Sequence, residues 1–303
     1  MKSRFLLFNV AVFILMVCSE AVFAQSLLPP VPLKGEDFIT SDGVQLHGTY
    51  YPSTLGKEAV PVMIVQDLDE SRKSLHPLAL ALQEQGCAVV TLDVRGQGDS
   101  NKRVKKINGG RDIKEEKFDK PRLNKIVIQQ MVTKDIDMFK RFLNRQNDEG
   151  TLNVQKLCLV GIGPSGSFLA TAYATFDYSW GSQGSDVRAL ALVSPAVKTN
   201  IMSFREAMPN KSLQMLPVYI WYGAEDVKAA KDADIVVKMF KMQRPGDEKK
   251  PVVDRTLFEV KVPTSLQGLK LVTAENSVVE RHLKKFIEIK LQKKDFPAWS
   301  SKQ

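Results

Sequence analysis

Two serines lie in a turn of small residues that connects an apolar run to a helical run. Residues 157–160 are apolar, Gly161-Ile-Gly-Pro-Ser-Gly-Ser167 follows, and residues 168–176 are apolar and rich in alanine. This order predicts a buried strand, a tight turn and a helix. Such a turn can hold a serine hydroxyl above the end of a strand, where a neighbouring base can activate it for acyl transfer. The chemistry to test for is therefore nucleophilic catalysis by a serine.

The strand, turn and helix resemble the nucleophile elbow of the α/β-hydrolase superfamily, which usually reads Gly-x-Ser-x-Gly. The run Asp93-Val-Arg-Gly-Gln-Gly-Asp-Ser100 resembles a structural turn of the same superfamily. With Gly161 as the first glycine of the elbow, the nucleophile position is Gly163, which has no side chain. The next residue should donate its N–H to the oxyanion of the substrate, but Pro164 has no N–H.

The resemblance implies three further catalytic positions, of which one is intact. A second oxyanion donor normally comes from the loop after the first buried strand, where Asp67 would bring a negative charge instead. The acid position is Asp226, which matches the family pattern Gly-x-x-Asp. The base position is Gln267, and an amide cannot accept and return a proton near neutral pH. Losing one oxyanion donor typically lowers a rate by about 100- to 1000-fold.

The resemblance therefore implies an α/β-hydrolase-fold protein that has lost its catalytic triad, similar to non-catalytic exported bacterial members of the superfamily. Such a pseudoenzyme would bind a small ligand in the vestigial cleft or dock a protein partner, and the fold alone does not define which. Asp226 has no imidazole to orient, so we interpret it as a loop or cap residue.

An alternative hypothesis retains catalysis. Shifting the elbow by two residues gives Gly163-Pro-Ser-Gly-Ser167, in which Ser165 is the nucleophile and Gly166 offers its N–H. His282 is then the only histidine beyond the last predicted strand, although it lies well inside a predicted helix. On this hypothesis the protein is a divergent serine esterase that uses Ser165 with His282.

Alternating buried strands and helices predict the frame that positions these residues. The segments Glu36–Thr40 and Val44–Tyr51 flank Ser41-Asp-Gly43 and predict an antiparallel hairpin. Val60–Val65 is a continuous apolar run, typical of a strand covered on both faces, and further strands are predicted at Ala88–Leu92, Val187–Val193, Val218–Tyr222 and Leu257–Val262. We therefore expect an α/β fold over residues 35–291. It should have an α/β-hydrolase-like, mainly parallel sheet with an N-terminal antiparallel hairpin and helices on both faces, in three layers.

Residues 1–24 have the pattern of a signal peptide. Lys2 and Arg4 precede an apolar core, and Val22-Phe-Ala24 suits cleavage before Gln25. The apolar core is too short to span a membrane comfortably, so we expect no transmembrane anchor. Export to a periplasm or to the medium is the expected localisation.

Two segments outside the predicted core could form accessory structure, and two more flank it. Residues 101–125 carry ten Lys or Arg against four Asp or Glu, which indicates either a solvated basic insertion or a loop that binds an anionic polymer. Residues 199–216 lie where the superfamily often inserts a lid, and the segment is short. Residues 25–34 are expected to be an extended lead-in, and residues 292–303 a C-terminal tail.

The cysteines and histidines indicate neither a disulfide nor a cofactor. After removal of residues 1–24 the chain keeps Cys87 and Cys158, which open different predicted strands with a third strand expected between them. That would place them about 10 Å apart, beyond the roughly 7 Å that a disulfide allows. The spacing of Cys and His matches no metal site, and we expect no metal and no cofactor.

We predict that the exported protein begins at Gln25, because the short apolar core is followed by a small-residue cleavage site. Intact-mass spectrometry of the secreted or periplasmic fraction checks this. A mass that still contains residues 1–24 would contradict the prediction.

Overall fold

Strands with apolar residues on both faces form the centre of the molecule. In the computed structural model the described residues are 27–107, 112–180, 185–199, 202–208, 213–293, 296 and 298–302. The predicted signal peptide lies outside them. The strands are β1 (Val31–Leu33), β2 (Val44–Gln45), β3 (His47–Tyr51), β4 (Pro61–Val65), β5 (Ala88–Asp93), β6 (Lys102–Ile107), β7 (Asp112–Lys117), β8 (Leu157–Ile162), β9 (Val187–Val193), β10 (Lys198–Thr199), β11 (Met202–Ser203), β12 (Val218–Gly223) and β13 (Leu257–Val262).

Eight of these strands pair into one twisted layer, in the order β1-β3-β5-β4-β8-β9-β12-β13. From β5 to β13 every neighbouring pair is parallel, while β3 is antiparallel to both β1 and β5. The predicted α/β fold with a mainly parallel sheet is confirmed.

Helices cover both faces of this sheet and produce two apolar cores. The helices are α1 (His76–Glu84), α2 (Lys125–Gln130), α3 (Asp137–Asp148), α4 (Gly163–Trp180), α5 (Val227–Met242), α6 (Gly268–Thr273) and α7 (Val278–Ile287). A π-helical segment, Met131–Ile136, joins α2 to α3. Alternate residues of each strand enter opposite cores: Met63 packs with α3 and α4, and Ile64 packs with α1 and α7. This alternation explains why the central strands are apolar throughout.

The N-terminal antiparallel pair is formed by other segments than those of the predicted hairpin. Glu36–Phe38 forms a 3₁₀ turn, and Ile39 makes an isolated bridge to Gln45. Phe38 turns into the core, with its ring 5.3 Å from that of Phe139, and this takes the segment out of the sheet. The antiparallel partner of β3 is β1, in the segment predicted as an extended lead-in. A proline-containing strand is tolerated there because β1 is an edge.

The basic segment 101–125 contains a hairpin, formed by β6 and β7, that was not predicted from the sequence. β6 pairs with β7 and with the short β2 to form a second, three-stranded sheet. Its lysines pair diagonally with acidic residues, as in Lys102–Glu115 (3.0 Å) and Lys105–Glu116 (2.6 Å), while Lys117 and Lys114 stand directly opposite them. Cross-strand pairs of opposite charge stabilise a hairpin. They also leave less unpaired positive charge for an anionic polymer.

A buried arginine stabilises the turn after β5 through ion pairs. The Arg95 side chain is 1% exposed and donates to both carboxylate oxygens of Asp135, in the π-helical segment. It also pairs with Asp42 at 2.7 Å, in the turn before β2. The glycine-rich turn thus links the main sheet, the helices and the small sheet, which agrees with its predicted structural role.

The lid region and the C-terminal tail both contribute ordered residues. In the described part of 199–216, β11 pairs with β10, and Phe204 and Ala207 are buried. In the tail, Asn147 donates to the Ser300 carbonyl oxygen, and the Lys302 ammonium pairs with Asp186 at 2.9 Å. Residues 298–302 therefore lie against the end of the sheet opposite the elbow.

Cys87 and Cys158 are free and buried, and β4 lies between their strands, as predicted. Burial raises the pKa of the Cys87 thiol to about 12 and raises that of Cys158 as well. We predict that a thiol reagent labels neither cysteine in native protein that starts at Gln25, and labels both after denaturation without reductant. Denatured protein with no reactive thiol would contradict the observed strand order.

Candidate active site

The candidate site lies where the carboxyl ends of four central strands meet. β4 leads into Asp67, β8 into Gly163, β9 into Ser194, and β12 ends at Gly223. The start of α6 completes the group, since a Cβ built on Gly268 would be 3.5 Å from the Gly163 Cα. Open parallel sheets bind ligands at this edge. The structure therefore brings together the nucleophile position, the second oxyanion position and the residue beside the base position.

The elbow has the backbone shape of a nucleophile turn without its reactive atom. Gly163 has a φ of 74°, in the left-handed region that side chains rarely adopt. The turn is also tightly packed: a Cβ on Gly161 would be 2.6 Å from the Gly166 carbonyl oxygen. Pro164 follows within α4 and donates no backbone hydrogen bond. The position at which the resemblance implies a serine hydroxyl has no side-chain oxygen.

Asp67 occupies the space beside the elbow. Its Oδ1 accepts the Ser165 N–H at 2.8 Å, at the first turn of α4. A Cβ on Gly163 would be 2.5 Å from Oδ2 and 2.7 Å from Cγ of the same carboxyl group. Burial raises the pKa of Asp67, while hydrogen bonds from Ser165, Leu68 and Gly166 oppose that rise. The carboxylate thus satisfies donors that an anionic ligand of the helix would otherwise take.

Gln267, at the base position, is held by both ends of its amide. Nε2 donates to the Gly223 carbonyl oxygen at 2.8 Å, and Oε1 accepts the Gly223 N–H at 3.2 Å. Oε1 also accepts the Ser194 hydroxyl at 2.7 Å. Ser194 in turn accepts the Gly268 N–H at 2.9 Å. The amide therefore acts as a structural link between β9, β12 and α6, and it cannot accept and return a proton near neutral pH.

Asp226, at the acid position, caps a helix. Its carboxylate accepts the Ala229 N–H at 3.0 Å and so begins α5. This is the cap role that the sequence indicated.

The alternative pair of Ser165 and His282 is not brought together. His282 lies in α7, with its ring stacked on that of Tyr219 at 6.1 Å. Tyr219 is near the start of β12, two strands from β8, which is about 10 Å across the sheet. Burial lowers the pKa of His282, and its Nδ1 is buried without a partner. Ser165 instead lies against Asp67.

Ser194 was not identified as a site residue from the sequence. Its φ of 53° is rare for a non-glycine residue and places its hydroxyl between Gln267 and Gly268. The only signal was Ser-Pro directly after a buried strand, which marks a turn but not its partner 73 residues later. The contact depends on the sheet order, which a turn signal does not contain.

Among the described residues no group of three or more His, Cys, Asp or Glu side chains could hold a metal ion. Within the same residues no helix is long and apolar enough to cross a membrane.

A model of the family described as Serine aminopeptidase, S33 matches residues 57–244, which is more than half of the chain. The chain belongs to this family of α/β-hydrolases. The matched range contains Asp67, the elbow and Asp226, and ends before Gln267. Comparison with curated proteins found no match.

Solved structures show the same fold at low identity. An esterase from Pyrococcus furiosus is 12% identical, with a TM-score of 0.59, and the alignment covers 87% of this chain and 92% of that one. An esterase from Pyrobaculum calidifontis is 12% identical, with a TM-score of 0.55 over 87% and 85% of the two chains. The α/β-hydrolase GrgF from Penicillium sp. sh18 is 14% identical, with a TM-score of 0.54 over 87% and 99%. These likenesses establish the fold of this S33 family member.

The contact between Gly163 and Asp67 predicts a strong energetic coupling. Gly163→Ser should lower the free energy of unfolding by roughly 1–3 kcal/mol, because the serine has an unfavourable φ and meets the carboxyl group. In the double variant with Asp67→Ala the loss should be smaller than the sum of the single losses, by about 0.5–3 kcal/mol. Urea denaturation of the four proteins measures both quantities.

Asp226→Ala, combined with Gly163→Ser, is the matched control. Asp226 caps α5 and does not contact the elbow, so these two losses should add. If the losses of Gly163→Ser and Asp67→Ala also proved additive, the carboxyl group would not limit the space at Gly163.

Proposed function

We propose that this protein is an exported α/β-hydrolase-fold pseudoenzyme that acts by binding a ligand or a partner and not by acyl transfer. The observation that carries the proposal is the hydrogen bond from the Ser165 N–H to Asp67 Oδ1 at 2.8 Å. An acyl-transfer enzyme needs positive dipoles at this place for the negative charge that develops on the substrate. Here the chain supplies a carboxylate of its own.

The other positions support the same conclusion independently. Gly163 has no nucleophile, Pro164 has no donor, and both ends of the Gln267 amide are engaged by Gly223 and Ser194. Restoring one group would leave the others missing. The smallest set of changes that could support turnover is Gly163→Ser, Pro164→Gly and Gln267→His, and the geometry adds a fourth, Asp67→Gly.

A cavity beside α4 offers a place for a ligand. It measures about 470 Å³ and lies between the α2–π segment and α4, next to the described part of the lid region. Its floor is apolar, and Lys125 and Glu206 are among its polar lining residues. Phe168, which lines it, is one helical turn from Ser165. We therefore expect a largely apolar small molecule as the ligand class.

One observation favours a second candidate, a hydrolase that uses Ser165. The Ser165 side chain lies beside the Asp67 carboxyl group, where it opposes the rise in the pKa of Asp67 that burial causes. A carboxylate in contact with a serine hydroxyl can act as a general base. Against this, Ser165 is 7% exposed and its own N–H is committed to the same carboxylate. A donor for the substrate oxyanion would have to come from elsewhere.

A fluorophosphonate probe and short-chain p-nitrophenyl esters distinguish the two candidates. We expect no labelling, and ester hydrolysis at the rate of the uncatalysed reaction, because no activated nucleophile faces the cleft. Ser165→Ala should behave as the unchanged protein does. Ser167→Ala is the matched control, since Ser167 is fully buried and donates to the Gly161 carbonyl oxygen.

Stoichiometric labelling that is lost in Ser165→Ala and kept in Ser167→Ala would overturn the proposal and establish the second candidate. Loss of that labelling in Asp67→Asn would then identify Asp67 as the base.

A further inference from the structure

The main sheet ends in two edges of different character. At one end is β1, three residues long, in which Pro32 removes a backbone donor. At the other end is β13, six residues long and without proline. Within the described residues β13 pairs on one side only, with β12. A regular open edge carries unpaired N–H and C=O groups and can pair with another strand.

The hydrogen bonds to β12 determine which residues of β13 point outward. The carbonyl oxygens of Thr256 and Val262 accept from Val218 and Ala224. Even-numbered residues of β13 therefore face β12, and the backbone groups of Leu257, Glu259 and Lys261 face the open side. An antiparallel copy of β13 can bond only if its odd-numbered residues stand opposite these.

Charge selects one register among the three whose twofold axis lies at Glu259, Val260 or Lys261. A twofold axis at Glu259 would place two carboxylates opposite each other, and an axis at Lys261 would do the same with two ammonium groups. An axis at Val260 places Glu259 opposite Lys261 of the second copy, twice. Like charges directly opposite destabilise a strand pair, whereas opposite charges stabilise it. A lysine in an edge strand normally discourages pairing, but this register gives it a carboxylate.

Apolar surface adjoins both ends of the edge. Val252 and Val253 precede β13 and are 56% and 67% exposed, and Leu266, beyond its other end, is 37% exposed. In an antiparallel pair the beginning of one β13 meets the end of the other, so these side chains approach each other. On the α7 face an apolar cavity of about 200 Å³, lined by Tyr219, Phe258 and Phe286, opens beside the edge.

We propose that β13 is a self-recognition surface, through which two copies of this chain form an antiparallel, twofold-symmetric dimer with a continuous sixteen-stranded sheet. Val260 lies on the twofold axis, and Glu259 of each copy pairs with Lys261 of the other. Both side chains already lie on the α5 face, where Glu259 binds Lys241 and Lys261 binds Asp234. The dimer leaves the elbow, which follows β8 three strands away in the sheet, outside the interface.

Reversing the charges of Glu259 and Lys261 tests the register of the two β13 strands. The protein from Gln25 onward should be a dimer by light scattering and by sedimentation. Glu259→Lys and Lys261→Glu should each weaken the dimer by about tenfold or more, since each places like charges opposite each other. The double variant should restore it. Both single variants also lose internal contacts, so the double variant and circular dichroism separate dimer loss from unfolding.

A cysteine at the axis gives a second, independent test. In the proposed register the two Val260 Cα atoms form a non-hydrogen-bonded pair about 4.5 Å apart, within the range of a disulfide. Val260→Cys should therefore form a covalent dimer on mild oxidation. Phe258→Cys, displaced from the axis, should not crosslink.

A monomer at every concentration would overturn the proposal, whether or not another protein occupies the edge. A dimer whose affinity is unchanged in the charge variants would also overturn it. The same holds if Val260→Cys remains uncrosslinked after oxidation.

Discussion

The close approach of α4 to β4 and β8 is the constraint on which the rest of the site depends. A Cβ on Gly166 would be 2.5 Å from the Val65 carbonyl oxygen, and one on Gly161 would meet the backbone of α4. The first turn of the helix therefore lies directly on the sheet and points its N–H groups at the loop after β4. Unpaired donors at a helix start need a partner. Asp67 provides one, and its carboxylate suits the positive end of the helix dipole.

The same contact explains why Asp67 and Gly163, which both differ from the family pattern, occur together in this chain. Asp67 and a side chain at position 163 would compete for one space, because a Cβ there lies 2.5 Å from the carboxylate. A chain with Asp67 in this place is therefore more stable with glycine at 163. At the base position, the Gln267 amide pairs with both backbone groups of Gly223, which a protonated or neutral imidazole could not do with the same geometry. Polar groups that would serve catalysis elsewhere are used here to hold loops together.

Much of this arrangement was predictable because it follows from local patterns. The limits of β9 and β13 match the predicted strands, and the elbow, its glycine at 163 and the cap at Asp226 were read from short motifs. Contacts between segments that are distant in sequence could not be predicted in this way. The partner of β3, the pairing of β6 with β2 and the Ser194–Gln267 bond depend on which strands are neighbours, and periodicity does not encode that order. The hairpin in the basic segment was not predicted either, because the oppositely charged residues that meet diagonally across β6 and β7 become neighbours only when the two strands pair.

The position of Asp67 also bears on how the fold could be used without catalysis. In a working hydrolase the elbow is strained and its donors are free, which lowers stability in exchange for reactivity. Here glycine removes the strain at 163, and an internal carboxylate satisfies the donors. Neither Gly163 nor Asp67 lines the cavity beside α4, and neither belongs to the edge strand β13. A rigid, satisfied elbow holds α4 in place against the sheet, and α4 in turn forms one wall of the cavity. If the turn is structural, as we propose, binding surfaces of this fold can persist and be well ordered without catalysis.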